Sequence, residues 1–265
     1  MNEKNYDYLK DQLKYTGFGE AANAELKEKM QQQLPEFKIF HKQDFGQDHA
    51  VAALHFRKSD QSDMYFFNKY DLHLKNDKSD QVAKQTYYMG KDNSVTLKEG
   101  YNLLNGRSVN KELTTKEGQV YNAWVQLNFK EADKAGNYQM NKFHQNYGFD
   151  LEKELAKHPI KELGNEQDKA RLIESLQRGN RQSVSVIKDG SEQKMFIEAN
   201  PKFKTLNVYD QNMQRIQSQS QKEKSTPEQS VKQESKKESQ KQKEDSDNVP
   251  KVSKKRSKSK KQSIS

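Results

Sequence analysis

The sequence predicts an α+β protein of tandem small helix-plus-antiparallel-sheet modules, followed by a disordered basic tail. Three observations predict it. Apolar residues recur at helical spacing near the start and then switch to a period of two. A pattern of short helix, turn and strand occurs twice: Lys116-Glu117-Gly118 leads into Ala123-Trp124-Val125, and Lys188-Asp189-Gly190 leads into Met195-Phe196-Ile197. From about Gln217 onward the chain is mostly Lys, Ser, Gln and Glu, without one aromatic residue. The expected segments are 1–90, 91–147 and 148–216 for the modules and 217–265 for the tail.

The first module opens with a helix, because Leu9 and Leu13 are four apart. Gly17-Phe18-Gly19 interrupts it, and Ala22, Leu26 and Met30 resume the spacing up to Pro35. Phe37 and Ile39, then Ala52, Leu54 and Phe56, then Tyr70, Leu72 and Leu74 alternate with polar neighbours, as strands with one buried face do. Gly46 with Asp48, and the run from Ser59 to Asp63, supply turn chemistry. The sheet ends near Met89.

The second module starts at Asp92-Asn93-Ser94. Thr96 and Glu99 have capping-box spacing, which predicts a helix through Leu103 and Leu104 that ends on Gly106. A strand over Ser108–Leu113 and a turn at Lys116–Gly118 follow. The next strand places Tyr121, Ala123, Val125, Leu127 and Phe129 on one face and Asn122, Trp124, Gln126 and Asn128 on the other. The third module repeats the plan. A helix from about Asn165 carries Leu172, Ile173 and Leu176 and ends on Gly179. Strands follow near 183–187, 194–199 and 206–209. An offset of 72 residues aligns Gly118 with Gly190, Trp124 with Phe196 and Asn128 with Asn200, while the helix-ending glycines fall one residue out of step.

The charge is uneven. Residues 217–265 hold 14 Lys and Arg against 7 Asp and Glu, a net of +7 out of +9 for the whole chain, which leaves residues 1–216 at +2. The tail has too little apolar surface to offset the entropy of ordering it. The absence of cysteine excludes disulfides, thiolate catalysis and Cys-based zinc sites. The polar start and the lack of any apolar run near 20 residues predict a cytoplasmic protein without a membrane span.

No catalytic residue, metal site or cofactor is expected. His41, His49, His55, His73, His144 and His158 show no metal-ligand spacing. Tyr15-Thr16-Gly17-Phe18-Gly19-Glu20 before a helix reads as a turn rather than a phosphate loop, since Glu20 would repel an anion. The carboxylates are mixed with lysines and form no isolated pair. Trp124 and Phe196 form a candidate binding surface, because a sheet that presents aromatics among polar groups can stack bases. The alternative is a second face partly covered by a neighbouring strand, helix or module. Arg107, Arg178 and Arg181 flank the helix-ending glycines, where they either meet phosphates or favour the helix C-termini. In the tail, Lys254, Lys255, Arg256, Lys258, Lys260 and Lys261 are candidate nucleic-acid contacts that would act by counterion release; the alternative is a solubilising tail.

Several stretches resemble an uncharacterised family, a domain of unknown function, from conjugative transposons of Bacteroidetes. Its units are related to those appended to topoisomerase-like proteins of such elements. The resemblance rests on Tyr15–Glu20, on Asp60–Tyr70, on Leu103-Leu104-Asn105-Gly106-Arg107 and on Tyr121-Asn122-Ala123-Trp124-Val125. It continues through His158–Leu163, Ser175–Asn180 and Glu198-Ala199-Asn200-Pro201. It covers most of residues 6–216 and excludes the tail. It implies a bacterial cytoplasm and a mobile-element context, and it supplies no catalytic residue. The expected function is that of a non-enzymatic accessory protein that binds nucleic acid. The alternative is a module that docks onto protein components of the DNA-transfer or topology machinery.

Overall fold

A computed structural model describes residues 1–77, 81–90, 94–188 and 190–216. The protein is α+β. Two helices open it, α1 at Glu3–Tyr15 and α2 at Asn23–Gln31. Four antiparallel strands follow as a meander: β1 at Glu36–Phe45, β2 at Asp48–Lys58, β3 at Tyr65–Lys75 and β4 at Val82–Tyr88. Helix α3 at Leu97–Leu104 precedes a three-stranded meander of β5 at Val109–Thr114, β6 at Val120–Ala132 and β7 at Tyr138–His144. Helices α4 at Leu151–Leu155 and α5 at Glu166–Gln177 precede the last sheet. Its strands are β8 at Gln182–Lys188, β9 at Ser191–Asn200, β10 at Thr205–Tyr209 and β11 at Arg215–Ile216.

Local chemistry sets these boundaries. Thr96 and Glu99 form the reciprocal capping box at the start of α3. Asn2, Asp150 and Asn165 cap α1, α4 and α5 with their side chains. Helices α1, α3 and α5 end in one and the same way. Each places a glycine in the left-handed region, at Gly17, Gly106 and Gly179. Its N–H and that of the next residue close back on the last turn: Gly17 to Lys14 and Phe18 to Leu13, Gly106 to Leu103 and Arg107 to Asn102, Gly179 to Leu176 and Asn180 to Ser175. This double closure satisfies carbonyls that a helix end leaves orphaned.

The sequence repeat is a repeat of backbone pairing. Val109 faces Val125 in one sheet, and Gln182 faces Ile197 in the other. Trp124 then lies between Asn110 and Phe143, and Phe196 between Ser183 and Tyr209. The one-residue slip between helix and strand is absorbed in the hairpin turn. Five residues separate the paired Thr114 and Val120, and four separate Ile187 and Glu192.

The described residues belong to one compact unit. Each expected segment carries one sheet, but the first two segments do not enclose separate cores. A single apolar cluster runs from Leu9 and Leu13 through Ile39, Leu54, Tyr70 and Leu72 to Leu103, Val109, Val125 and Leu127. It joins α1, α2 and α3 to the inner face of the first sheet, and α3 also packs on β5 and β6. A second cluster joins Trp124, on the opposite face of the middle sheet, to Leu151, Leu155, Leu172 and Leu176, and these to Val184, Ile197 and Leu206. Sheets and helices therefore alternate in layers, and among the described residues no element covers the solvent face of the first sheet. The expected tail, with Lys254, Lys255, Arg256, Lys258, Lys260 and Lys261, lies outside the described residues, as do Asp92, Asn93 and Asp189.

Candidate nucleic-acid interface

The aromatic pair at Trp124 and Phe196 does not form an open surface. Trp124 is 6% exposed, and its ring meets the edge of Phe149 at 5.4 Å. The third segment covers that face of the middle sheet, so the covered-face alternative holds for Trp124. An open cleft of about 680 Å³ does reach it, bordered by Asp150, Glu152 and Glu154 with Lys153 and Lys157. Three carboxylates against two ammonium groups make a poor seat for phosphate. Phe196 is half-buried, and the Lys194 ammonium lies 5.4 Å from its ring centre.

The three arginines are engaged or turned inward. Arg178 binds Glu174 at 2.6 Å, and its backbone carbonyl accepts from Asn102 at 2.7 Å. Arg181 donates to Glu198 at 3.1 Å and lies over the Tyr209 ring at 4.3 Å. Arg107 packs on Tyr101, 5.1 Å from its ring centre, with Nε and Nη2 buried. Arg178 and Arg181 thus pair with carboxylates rather than offering free guanidinium groups to phosphate.

Glu198 occupies the strand position that Gln126 holds in the middle sheet. It is 5% exposed, and it also accepts from Asn207 at 3.1 Å and from Tyr209 at 2.5 Å. Burial and this carboxylate push the Tyr209 phenol up to about 12. A buried carboxylate held by a guanidinium, an amide and a phenol is a satisfied network.

The surface that does combine aromatics with cations is the solvent face of the first sheet. Strand register fixes its layout as rows across the four strands. Glu36, Arg57 and Phe66 form one row. Lys38, His55, Lys69 and Tyr88 form the next, and Phe40, Ala53, Asp71 and Thr86 the third. Lys42, Val51, His73 and Lys84, then Asp44, His49, Lys75 and Val82, complete it. The register shift after His55 accommodates one extra residue, Asn68, on β3. Phe40 is 66% exposed, Phe66 48% and Tyr88 70%.

This face carries six cations, Lys38, Lys42, Arg57, Lys69, Lys75 and Lys84, against Glu36, Asp44 and Asp71. The five lysines make no ion pair among the described residues, while Arg57 binds the neighbouring Asp60 at 3.1 Å. At the centre, His55 Nε2 and Asp71 Oδ2 are 2.6 Å apart, and Thr86 donates to Asp71 Oδ1 at 2.7 Å. Burial raises the Asp71 pKa. The hydrogen bonds from Thr86 and His55, with the charges of His55 and Lys69, outweigh burial and hold the carboxyl below its ordinary range. Two hollows flank this set. One, of about 350 Å³, is bordered by Lys38, His55, Arg57 and Lys69. The other, of about 210 Å³, is bordered by Asp71, His73, Lys84, Thr86 and, from the β6–β7 turn, Asn137.

Sequence reasoning passed over this face because it followed the buried alternation of β1–β4. The signal was present in the intervening positions, where Lys38, Phe40 and Lys42 point away from Phe37, Ile39 and His41. Among the described residues no cluster of His, Asp and Glu is placed to hold a metal ion, and no helix is long and apolar enough to cross a membrane. No family model, curated protein or solved structure matches the chain.

Proposed function

We propose that the protein is a non-enzymatic accessory factor that binds single-stranded nucleic acid on the solvent face of its first sheet. The observation that carries this reading is the combination, on one face, of five lysines that make no ion pair among the described residues with the exposed rings of Phe40, Phe66 and Tyr88. Lysines give sequence-independent attraction to phosphates. Rings stack on bases, which requires bases free of a duplex. The lysines and arginine of the tail would add cations to the same ligand. On this proposal the protein would act in the bacterial cytoplasm as part of a mobile element, which is what the resemblance implies. The Val82, Phe40, Phe66 and Tyr88 side chains also favour a second reading, docking onto a protein of the DNA-transfer or topology machinery.

The test is anisotropy of a fluorescent thymidine oligonucleotide with the full chain, over a salt titration. Replacing Phe40 and Tyr88 with Ala should weaken binding by about tenfold or more, given roughly 1–3 kcal/mol per stacked base. Replacing Lys38 and Lys69 with Gln should flatten the log–log salt slope by about 1.4, two contacts at about 0.7 each. Unchanged affinity and slope in both variants would mean that another part of the chain binds, and the reading would fail. Absence of any binding by the full chain at low salt would leave protein docking as the reading.

A further inference from the structure

Resting on that reading, we propose that Asp71 makes the first sheet selective for guanine, with the base in the hollow beside Thr86 and a phosphate in the hollow beside Lys69. His55 borders one hollow and Asp71 the other, and the two side chains are hydrogen-bonded to each other, so the hollows lie on neighbouring residues of the same face. The phosphate side presents Lys38 and Lys69, with Arg57 held by Asp60, against Glu36 in its lining. The base side is different. It presents the one carboxylate at the centre of the face, since Glu36 and Asp44 stand in its end rows, and there it opposes phosphate binding.

The Asp71 side chain retains 28% of its exposure. Each of its oxygens accepts one hydrogen bond, Oδ1 from Thr86 and Oδ2 from His55, and each keeps a second acceptor site. An ionised carboxylate with two free acceptor sites matches two adjacent donors. Guanine is the base whose pairing edge offers them, the ring N1–H beside the 2-amino group. Its neighbouring O6 needs a donor, and the Lys84 ammonium borders the same hollow. Thymine and uracil present an N–H between two carbonyls, which a carboxylate repels. The pairing edge is exposed only in a single strand, in line with the stacking reading.

The structural alternative is that His55, Asp71 and Thr86 merely tie β2, β3 and β4 together. Oligonucleotides separate the two. A thymidine strand, the same strand with spaced guanines, and the same strand with hypoxanthine in place of each guanine are titrated against the full chain. Hypoxanthine lacks only the 2-amino group, so this comparison needs no protein variant. The guanine strand should bind about tenfold more tightly than either other strand, the order of a bidentate base contact. Asp71→Asn should remove that preference while affinity for thymidine rises, because a charge that opposes phosphate is gone; a guanine preference that survives in this variant would overturn the assignment. Equal binding of all three strands by the unaltered protein would overturn the guanine assignment and leave the face reading intact. Binding of none would overturn the face reading itself.

Discussion

Trp124 shows how one side chain can be read two ways from sequence and one way from packing. Its neighbours Asn122 and Gln126 are polar, so the strand alternation assigns it to solvent. The third segment buries it instead, against Phe149 and the α4 and α5 leucines. Trp124→Ala should therefore cost about 3–5 kcal/mol in urea unfolding, the range for emptying an aromatic core site. Phe196→Ala, at the equivalent but half-buried position, should cost less. Gly179 offers a second test at this scale. Its φ is +79°, and an added Cβ would lie 2.9 Å from the Ser108 carbonyl oxygen and from a Val109 methyl. Gly118, at φ +83°, meets nothing within 4 Å. Gly118→Ala should cost about 1 kcal/mol of backbone strain, and Gly179→Ala more than that. His41 and His158 bear on acid stability. Burial lowers both pKa values below the usual ~6.5. The unfolded chain then binds more protons than the folded one between ~6.5 and the lowered folded values. Stability from these groups is full above ~6.5 and declines as pH falls through that window. Thermal melts should show this decline, and His41→Phe, which keeps the edge contact to Phe18, should reduce it.

At the level of elements, most of the fold was legible in the residues. The Thr96–Glu99 capping box, the helix-ending Gly106 and Gly179 and the three alternating stretches before Tyr88 all stand where local chemistry requires them. Thr96→Ala should cost about 1 kcal/mol in the same urea assay, with little change in the slope. Helix α1 shares the glycine-ended closure at Gly17 but not the rest of the repeat, because α2 and a longer sheet follow it. Its Gly17-Phe18-Gly19 run read only as a break. The binding face was legible in part. Its lysines and rings lie in plain alternation on β1, but which strand lies beside which, and so which residues share a row, depends on the meander order and the register shift after His55. A single sequence does not carry that long-range information.

The whole molecule is a stack of layers whose two core clusters meet at the middle sheet. Val125 and Leu127 belong to one cluster, and Trp124, on the reverse of the same strand, to the other. Loss of Trp124 should therefore weaken the third sheet more than the first. Hydrogen exchange would show this as faster opening of β8–β10 than of β1–β4 in Trp124→Ala. The strand order has a kinetic meaning of its own. Within each sheet every ladder joins strands that are consecutive in the chain, with no crossover. Each turn brings its own two strands together, so the search for partners is short at every step. During synthesis the first sheet can close while the last is still inside the ribosome, and each finished layer then offers its apolar face as a template for the next.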